Sequence, residues 1–329
     1  MKNTNKLNKK ELLNLINVVG HSEDEDQVTV FVTKKLKMPT IEKKIRNPLD
    51  TFTTNDIIPK TIVVTGKIPF FKKKKKTTVI EIGNVKIHTN RKKYRPLIGG
   101  CEIGPYSQNW VGTLGMFVKI KHYRGLYLTG LWYSFISILE KFGLKTSYKI
   151  MALTNSHVVN TNVTLPAKLL ITQPGSMPYL TIVIGKTLIS HPIKRYETNT
   201  IDSALINIDP NPVGSQYNNE ILEIGKISGF DNVKVGDQCK KYGRTTELTE
   251  GKCISKNITI TIDYGEPLGL IKFTGIDMYG SMSADGDSGA VIIRKNDNAA
   301  VGHLFAGSNS ITLAVPILKI KNYFKFELA

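Results

Sequence analysis

The chain has 329 residues, 41% of them apolar and 8% aromatic, which excludes a disordered chain and leaves room for one large packed domain or two smaller ones. Forty-five Lys plus Arg against 27 Asp plus Glu give a formal charge of +18, which favours nucleic acid, anionic lipid or an acidic protein surface as a partner. Only three cysteines, Cys101, Cys239 and Cys253, are present, too few and odd in number for a secreted disulfide framework, so they are expected as free thiols in a reducing compartment.

The first twenty residues start basic, but Glu11, Asn14 and Asn17 interrupt any apolar stretch, so no secretory signal is readable and the expected address is cytoplasmic. Lys9 to Val18 reads as an amphipathic helix, Glu23 to Asp26 as an acidic turn, and Val28 to Thr33 and Thr77 to Ile82 as strands. Five consecutive lysines, Lys72, Lys73, Lys74, Lys75 and Lys76, repel one another and mark an exposed loop that could contact nucleic acid or a membrane surface. RKKYRP, Arg91 to Pro96, reads as a linker. Residues 1–95 hold 22 basic against 9 acidic side chains, a charge of +13, while the remaining 234 carry +5. The expected organisation is a small basic α+β domain with its linker over 1–95 and a second domain over 96–329.

From Gly99 onward the texture is short β-rich runs punctuated by Gly, Asn, Asp and Pro: GMFVKI, YKIMALT, KLLIT, LTIVIG, SALINI, GKCISKNITITIDY, GLIKFTG, GAVIIR and AVGHLFAG. Many short strands with few helical periods predict an antiparallel barrel or sandwich. ITITIDY, Ile258 to Tyr264, alternates like a half-buried strand. The longest charge-free run, Gly125 to Leu139, has 15 residues, short of the roughly 20 needed to cross a bilayer. Val315 to Phe324 is the one stretch expected to close the domain as a short helix.

Three segments carry chemistry: ALTNSHVV around His157, NTIDSALI around Asp202 and GDSGAVII around Ser288. Alone, each has a plain reading as a satisfied polar residue, a cap or a turn; in this order and with these flanks they spell a base, an orienter and a nucleophile. A serine hydroxyl is a poor nucleophile unless an imidazole takes its proton, and that imidazole works best when a buried carboxylate fixes its tautomer. The glycines of Gly286-Asp287-Ser288-Gly289 allow a tight turn in which the amides of Gly286 and Ser288 converge on a developing oxyanion. The remaining histidines show no metal-ligand spacing, and no phosphate-binding glycine loop appears, so neither metal nor organic cofactor is expected.

At these residues the sequence resembles the chymotrypsin-fold, trypsin-like serine peptidases, with His157, Asp202 and Ser288 separated by 45 and 86 residues. The resemblance runs from about Gly99 to Phe324. RPLIGGCEIG, VGTLGMFV, KKYGRTTELTEGK and VGHLFAGS are closest in look to the intracellular bacterial and plant narrow-leaf branch, which also carries a non-catalytic N-terminal domain. The resemblance implies a two-lobed antiparallel β-barrel, mainly β, with the triad in the cleft between lobes, and a serine endopeptidase working through an acyl-enzyme. It also implies a primary pocket lined by Met282, Ser283, Phe305, Ala306 and Gly307, with Met282 where basic-specific relatives carry an aspartate. Gly125 to Lys145 is similar to an insertion, read either as a flap packed on the barrel or as an exposed partner or membrane-surface element.

Two arrangements are open for Asp287. In zymogen-type relatives the matching aspartate pairs with a new N-terminus, here after cleavage ahead of Ile98-Gly99-Gly100; the preferred expectation is an internal donor, a backbone amide or Arg244. A rival class is a protease-fold binding or structural module whose triad is vestigial or only self-cleaving, kept open by the +13 segment.

Overall fold

The computed structural model describes residues 18–23, 27–32, 76–81, 92–106, 108, 110–123, 126–127, 130–159, 169–175, 182–208, 217–266 and 268–329. Strands dominate among them. Three precede the main body: β1 (Val18–Glu23), β2 (Gln27–Val32) and β3 (Lys76–Glu81). β2 and β3 lie within a residue of the expected strands Val28–Thr33 and Thr77–Ile82. β1 and β2 are antiparallel, β2 and β3 parallel, and Gly20 of β1 pairs with Ile260, so this sheet adds to an edge of the main body. The expected helix before Val18, the acidic turn beyond Glu23 and the lysines before Lys76 lie outside the described residues.

The expected linker is strapped down. The Tyr94 amide and the Arg95 guanidinium both donate to Gln173 Oε1, at 3.1 and 2.7 Å, while Gln173 Nε2 donates to the Lys92 carbonyl at 2.6 Å.

In chain order the first lobe follows with β4 (Leu97–Gly99), β5 (Glu102–Pro105), β6 (Gly112–Thr113), β7 (Met116–Tyr123), β8 (Leu126–Tyr127), β9 (Ser147–Thr154), β10 (Leu170–Gln173), β11 (Ile182–Ser190), β12 (Thr198–Asn199), β13 (Ala204–Ile208) and β14 (Tyr217–Ile221). Its sheet runs β7-β9-β13-β11-β10-β5-β6, and β8 folds back onto β7. Ile103, Phe117, Ala152, Ile171, Ile184 and Ile206 project inward from alternate positions and form its core.

The second lobe comprises β15 (Gly229–Phe230), β16 (Gln238–Gly243), β17 (Glu247–Asp263), β18 (Leu270–Gly280), β19 (Val291–Arg294), β20 (Ala299–Gly307) and β21 (Ile311–Pro316). Six of these close on themselves in the order β18-β21-β20-β19-β16-β17, because β17 pairs back with β18, and the part of β17 beyond its pairing with β16 is the edge that takes β1. The alternation read in ITITIDY is present, with Ile258 and Ile260 buried and Thr259 and Thr261 half-buried. The fold is therefore mainly β and antiparallel, as the texture of the sequence predicts, and it divides into the two lobes that the resemblance implies.

A third apolar cluster spans both lobes, joining Val118, Met151 and Leu205 to Phe273, Ile276, Leu313 and Phe324. The chain end straps the lobes together. The helix Ile317–Phe324 buries Ile317, Ile320 and Phe324 along one face and stops at Lys325, whose left-handed φ of 57° lets its amide bond back to Lys321. The last strand, β22 (Phe326–Leu328), then pairs with β7 of the first lobe, with Phe326 opposite Ile120.

Between β8 and β9 the helix Gly130–Glu140 is held by buried Ile136 and by a 2.7 Å pair between Lys121 and Glu140, while Phe135, Ile138 and Phe142 are exposed. No helix among the described residues is long and apolar enough to cross a membrane.

Candidate active site

Each of the three chemical segments sits at the end or start of a strand. β9 ends at Thr154 and the chain turns through a single helical turn, Ser156–Val159, which carries His157 with about a quarter of its side chain exposed. Asp202 stands two residues before β13 and is completely buried. Ser288 precedes β19.

The His157 Nδ1–H donates to Asp202 Oδ2. Oδ1 of the same carboxylate accepts the backbone amides of Ser156 at 2.7 Å and His157 at 3.2 Å, and Oδ2 also accepts the Tyr264 hydroxyl at 2.9 Å. Burial alone would push the Asp202 carboxyl upward, but the His157 ring and the hydrogen bonds from His157 and Tyr264 outweigh it, so the group ends below the ordinary carboxylate range and stays ionised. A buried charge with four donors is the arrangement in which an imidazole is held in one tautomer, Nδ1–H toward the carboxylate and Nε2 free to take a proton.

A neutral histidine joins the three segments. His303 is fully buried on β20; its Nε2–H donates to the Gly289 carbonyl at 3.1 Å, while Nδ1 accepts from the Ser203 hydroxyl at 2.8 Å and from Asn155 Nδ2 at 3.3 Å. Asn155 Nδ2 also donates to the Asp202 carbonyl at 2.6 Å. One imidazole thus ties together neighbours of all three segments. Burial presses its pKa down to about 4.

The Ser288 turn is set by hydrogen bonds at its carbonyls. Thr245 Oγ1 donates to the Asp285 carbonyl at 2.6 Å and Ala290 N–H to the Asp287 carbonyl at 2.9 Å. In trans peptides the N–H opposes the C=O, so the amides of Gly286 and Ser288 point the other way, and among the described residues they donate to nothing. The expected oxyanion pair is thereby open. Gly286 and Gly289 have φ of 93° and 100°, and a Cβ at Gly289 would stand 2.1 Å from the Thr113 carbonyl, so only glycine fits there. Thr113 locks the turn to the first lobe: its amide donates to the Ser288 carbonyl at 2.8 Å and its hydroxyl to the Gly286 carbonyl at 2.7 Å. Val158, next to His157, and the Ser288 carbonyl both press on Gly112, where a Cβ would meet them at 2.5 and 2.8 Å. The Ser288 hydroxyl donates to the Phe305 carbonyl at 3.4 Å.

Asp287 has an internal partner. Lys241 Nζ lies 3.2 Å from Asp287 Oδ2, both side chains fully buried, and the carboxylate also accepts the amides of Thr245, Thr246 and Ala284 and the Thr246 hydroxyl. Arg244, the side chain expected here, instead pairs with buried Glu102 at 2.8 Å. Ile98 lies within β4, paired to β14, with Gly99 packed against the Gly115 carbonyl.

Among the pocket candidates, Ser283, Ala306 and Gly307 are partly exposed. The Ser283 and Thr312 hydroxyls lie 2.7 Å apart, and a Cβ on Gly307 would come within 2.7 Å of Ser283 Oγ. Met282 is packed in the second-lobe core beside Val233, Cys239 and Cys253, and Phe305 is buried against Phe273. The three thiols are buried and free, each pushed up to about 12 by that burial, so none is a nucleophile at neutral pH.

Sequence reasoning missed Tyr264, Lys241 and His303. Tyr264 closed a strand pattern, Lys241 carried no reading of its own within KKYGRTTELTEGK, and His303 read as an exposed or core histidine without metal-ligand spacing.

No family model matches the chain, and no curated protein is similar to it. Among solved structures it is similar to a glutamic-acid-specific serine protease (TM-score 0.45, 18% identity, covering 71% of this chain and 100% of that one). It is likewise similar to Thermobifida fusca protease A (0.43, 19%, 71% and 98%) and to Cellulomonas bogoriensis chymotrypsin (0.45, 17%, 71% and 98%). These neighbours are serine proteases.

Proposed function

We propose that the chain is a serine endopeptidase. The observation that carries this reading is the fully buried, ionised Asp202 bonded to His157 Nδ1, combined with a serine turn whose two amides are open. In the proposed reaction Ser288 Oγ attacks the scissile carbonyl while His157 Nε2 takes its proton, and the oxyanion is held by the Gly286 and Ser288 amides. The same proton passes to the leaving amine as the C–N bond breaks, leaving an acyl-Ser288. Water, deprotonated by His157, then releases the acid and restores the serine. Asp202 stays ionised throughout and stabilises the imidazolium.

The candidate pocket positions carry no charge, which suits small to medium apolar residues on the acyl side of the cut bond. Lys241 supports a site that assembles without chain cleavage, since Asp287 already has a cation. We further propose that residues 1–95 act as a basic module and 96–329 as the peptidase, with Lys72 to Lys76 contacting an anionic surface; the support for this is the charge distribution.

The test is labelling with a fluorophosphonate, which reacts only with an activated serine. Stoichiometric modification of Ser288, lost in Ser288→Ala, is expected; an unmodified folded chain overturns the reading.

A further inference from the structure

Among the described residues four donors meet the Asp202 carboxylate, and one of them comes from the second lobe. That donor is Tyr264, which follows β17. Ser156 and His157 belong to the same lobe as Asp202, so the bonds they make would survive any change in how the lobes meet. The Tyr264 bond would not.

The phenol is held firmly. Its ring stacks on Phe273, centroids 5.8 Å apart and planes within 17°, and meets the His157 ring edge-on at 5.7 Å and 88°. Its backbone closes a turn, the amide donating to the Gly269 carbonyl at 2.9 Å while the Gly269 amide donates to the Gly265 carbonyl at 2.7 Å.

We infer that Tyr264 is a positioning residue for the triad: its hydroxyl fixes Asp202 Oδ2 in the orientation that receives the His157 Nδ1 proton, and its ring covers that contact from the second lobe. The inference rests on the peptidase reading above. With Oδ1 pinned by two amides and Oδ2 by the phenol, the carboxylate plane has no freedom to turn, and His157 finds one orientation. Burial and the neighbouring Asp202 charge raise the Tyr264 phenol well above its ordinary value, so it remains an O–H donor across the working range. The other titratable groups that feel the pair are His191 and His303, with Lys194 beside His191. Burial lowers both histidines, His303 to about 4, so neither competes for Asp202 as a cation near neutrality.

Tyr264→Phe removes the hydroxyl and keeps the ring. Three consequences are expected. kcat/KM falls about tenfold, mostly in kcat, as for loss of one hydrogen bond to a charged group. The acid limb of the kcat/KM profile moves to higher pH, because the carboxylate charge is then concentrated on the imidazole. The downfield proton NMR resonance of the His157–Asp202 hydrogen bond moves further downfield. In the Asp202→Asn background the Tyr264→Phe change adds little, because the bond it removes acts through the carboxylate.

A purely structural tyrosine would lower the melting temperature and leave the acid limb and the resonance in place; that result overturns the inference, as does an undiminished tenfold loss in the Asp202→Asn background. The resonance is read on folded protein without substrate. A wild-type chain that fails to label at Ser288 would therefore sink the peptidase reading, while the resonance still decides the role of Tyr264.

Discussion

Lys241 Nζ stands 3.2 Å from Asp287 Oδ2 with neither side chain reached by solvent, an ion pair buried next to Ser288 in the chain. Burial lowers the lysine from its ordinary value and the Asp287 charge opposes that. Removing the cation alone leaves a buried carboxylate uncompensated. Lys241→Met is expected to cost about 3–5 kcal/mol of stability and to abolish Ser288 labelling, because the same carboxylate orders the Thr245–Thr246 and Ala284 amides around the turn. Adding Asp287→Asn should return part of the stability. Full labelling of Lys241→Met would show that the pair is dispensable.

Ser288→Ala and His157→Ala should each lower peptide hydrolysis by a factor on the order of 10⁶, and Asp202→Asn by about 10⁴, since the three groups act as a unit. All three variants should fold, because Ser288 and His157 are partly exposed and Asn keeps an acceptor for the Ser156 and His157 amides. Steady-state rates with a peptide substrate check this, and hydrolysis by Ser288→Ala at the native rate would refute the assignment.

What was legible in the sequence is what local pattern controls. A histidine one turn past an apolar strand, an aspartate just ahead of SALINI and GDSG ahead of GAVIIR each take their position from a neighbouring strand end, so order and flanks suffice to single them out as candidates. Tyr264, Lys241 and His303 belong to the site through register between strands distant in sequence. Tyr264 is 62 residues from Asp202 and Lys241 is 46 from Asp287, and nothing within a window of ten residues marks either one. Arg244 shows the same limit from the other side. Of the two internal donors expected for Asp287, backbone amides do reach it, from Thr245, Thr246 and Ala284, whereas the fold turns Arg244 toward Glu102.

The uncharged candidate pocket should show in cleavage preference. Met282 stands where the resemblance puts the anchoring carboxylate of basic-specific relatives, and the partly exposed candidates Ser283, Ala306 and Gly307 bring no charge in its place, with the Ser283 hydroxyl paired to that of Thr312. Peptide-library profiling is expected to return small to medium apolar residues before the cut. A clear preference for Lys or Arg would rule this pocket out.

His303 should make the site acid-sensitive. Its Nδ1 accepts two donors, so a proton there would face Ser203 and Asn155 hydrogens already in place. The folded value is about 4 against 6.5 for the free group, so between these values the unfolded chain binds the proton and the folded chain does not. Stability therefore falls as pH drops from 6.5 toward 4. His303→Gln, although less stable overall, should lose this part of the slope. Melting temperatures at several pH values compare the two, and parallel curves would exclude His303 as the cause.

Asp277 should act with the opposite sign. It is buried on β18, and desolvation pushes its carboxyl up to about 6, only partly offset by the Asn257 amide that donates to it at 3.3 Å and by Lys256 and Lys319. The folded state therefore holds this proton more tightly than the unfolded chain, whose ordinary value is 3.8. The stabilisation is complete below about pH 4 and is lost as pH rises through the folded value, so at pH 7 the chain carries a buried, poorly compensated charge. Asp277→Asn keeps an acceptor for the Asn257 amide and removes that charge. It is expected to raise the melting temperature at pH 7, with the gain shrinking toward zero as the pH is brought below 4. A variant less stable than wild type at pH 7, or a gain that does not change with pH, would mean that the two lysines already compensate Asp277 in full.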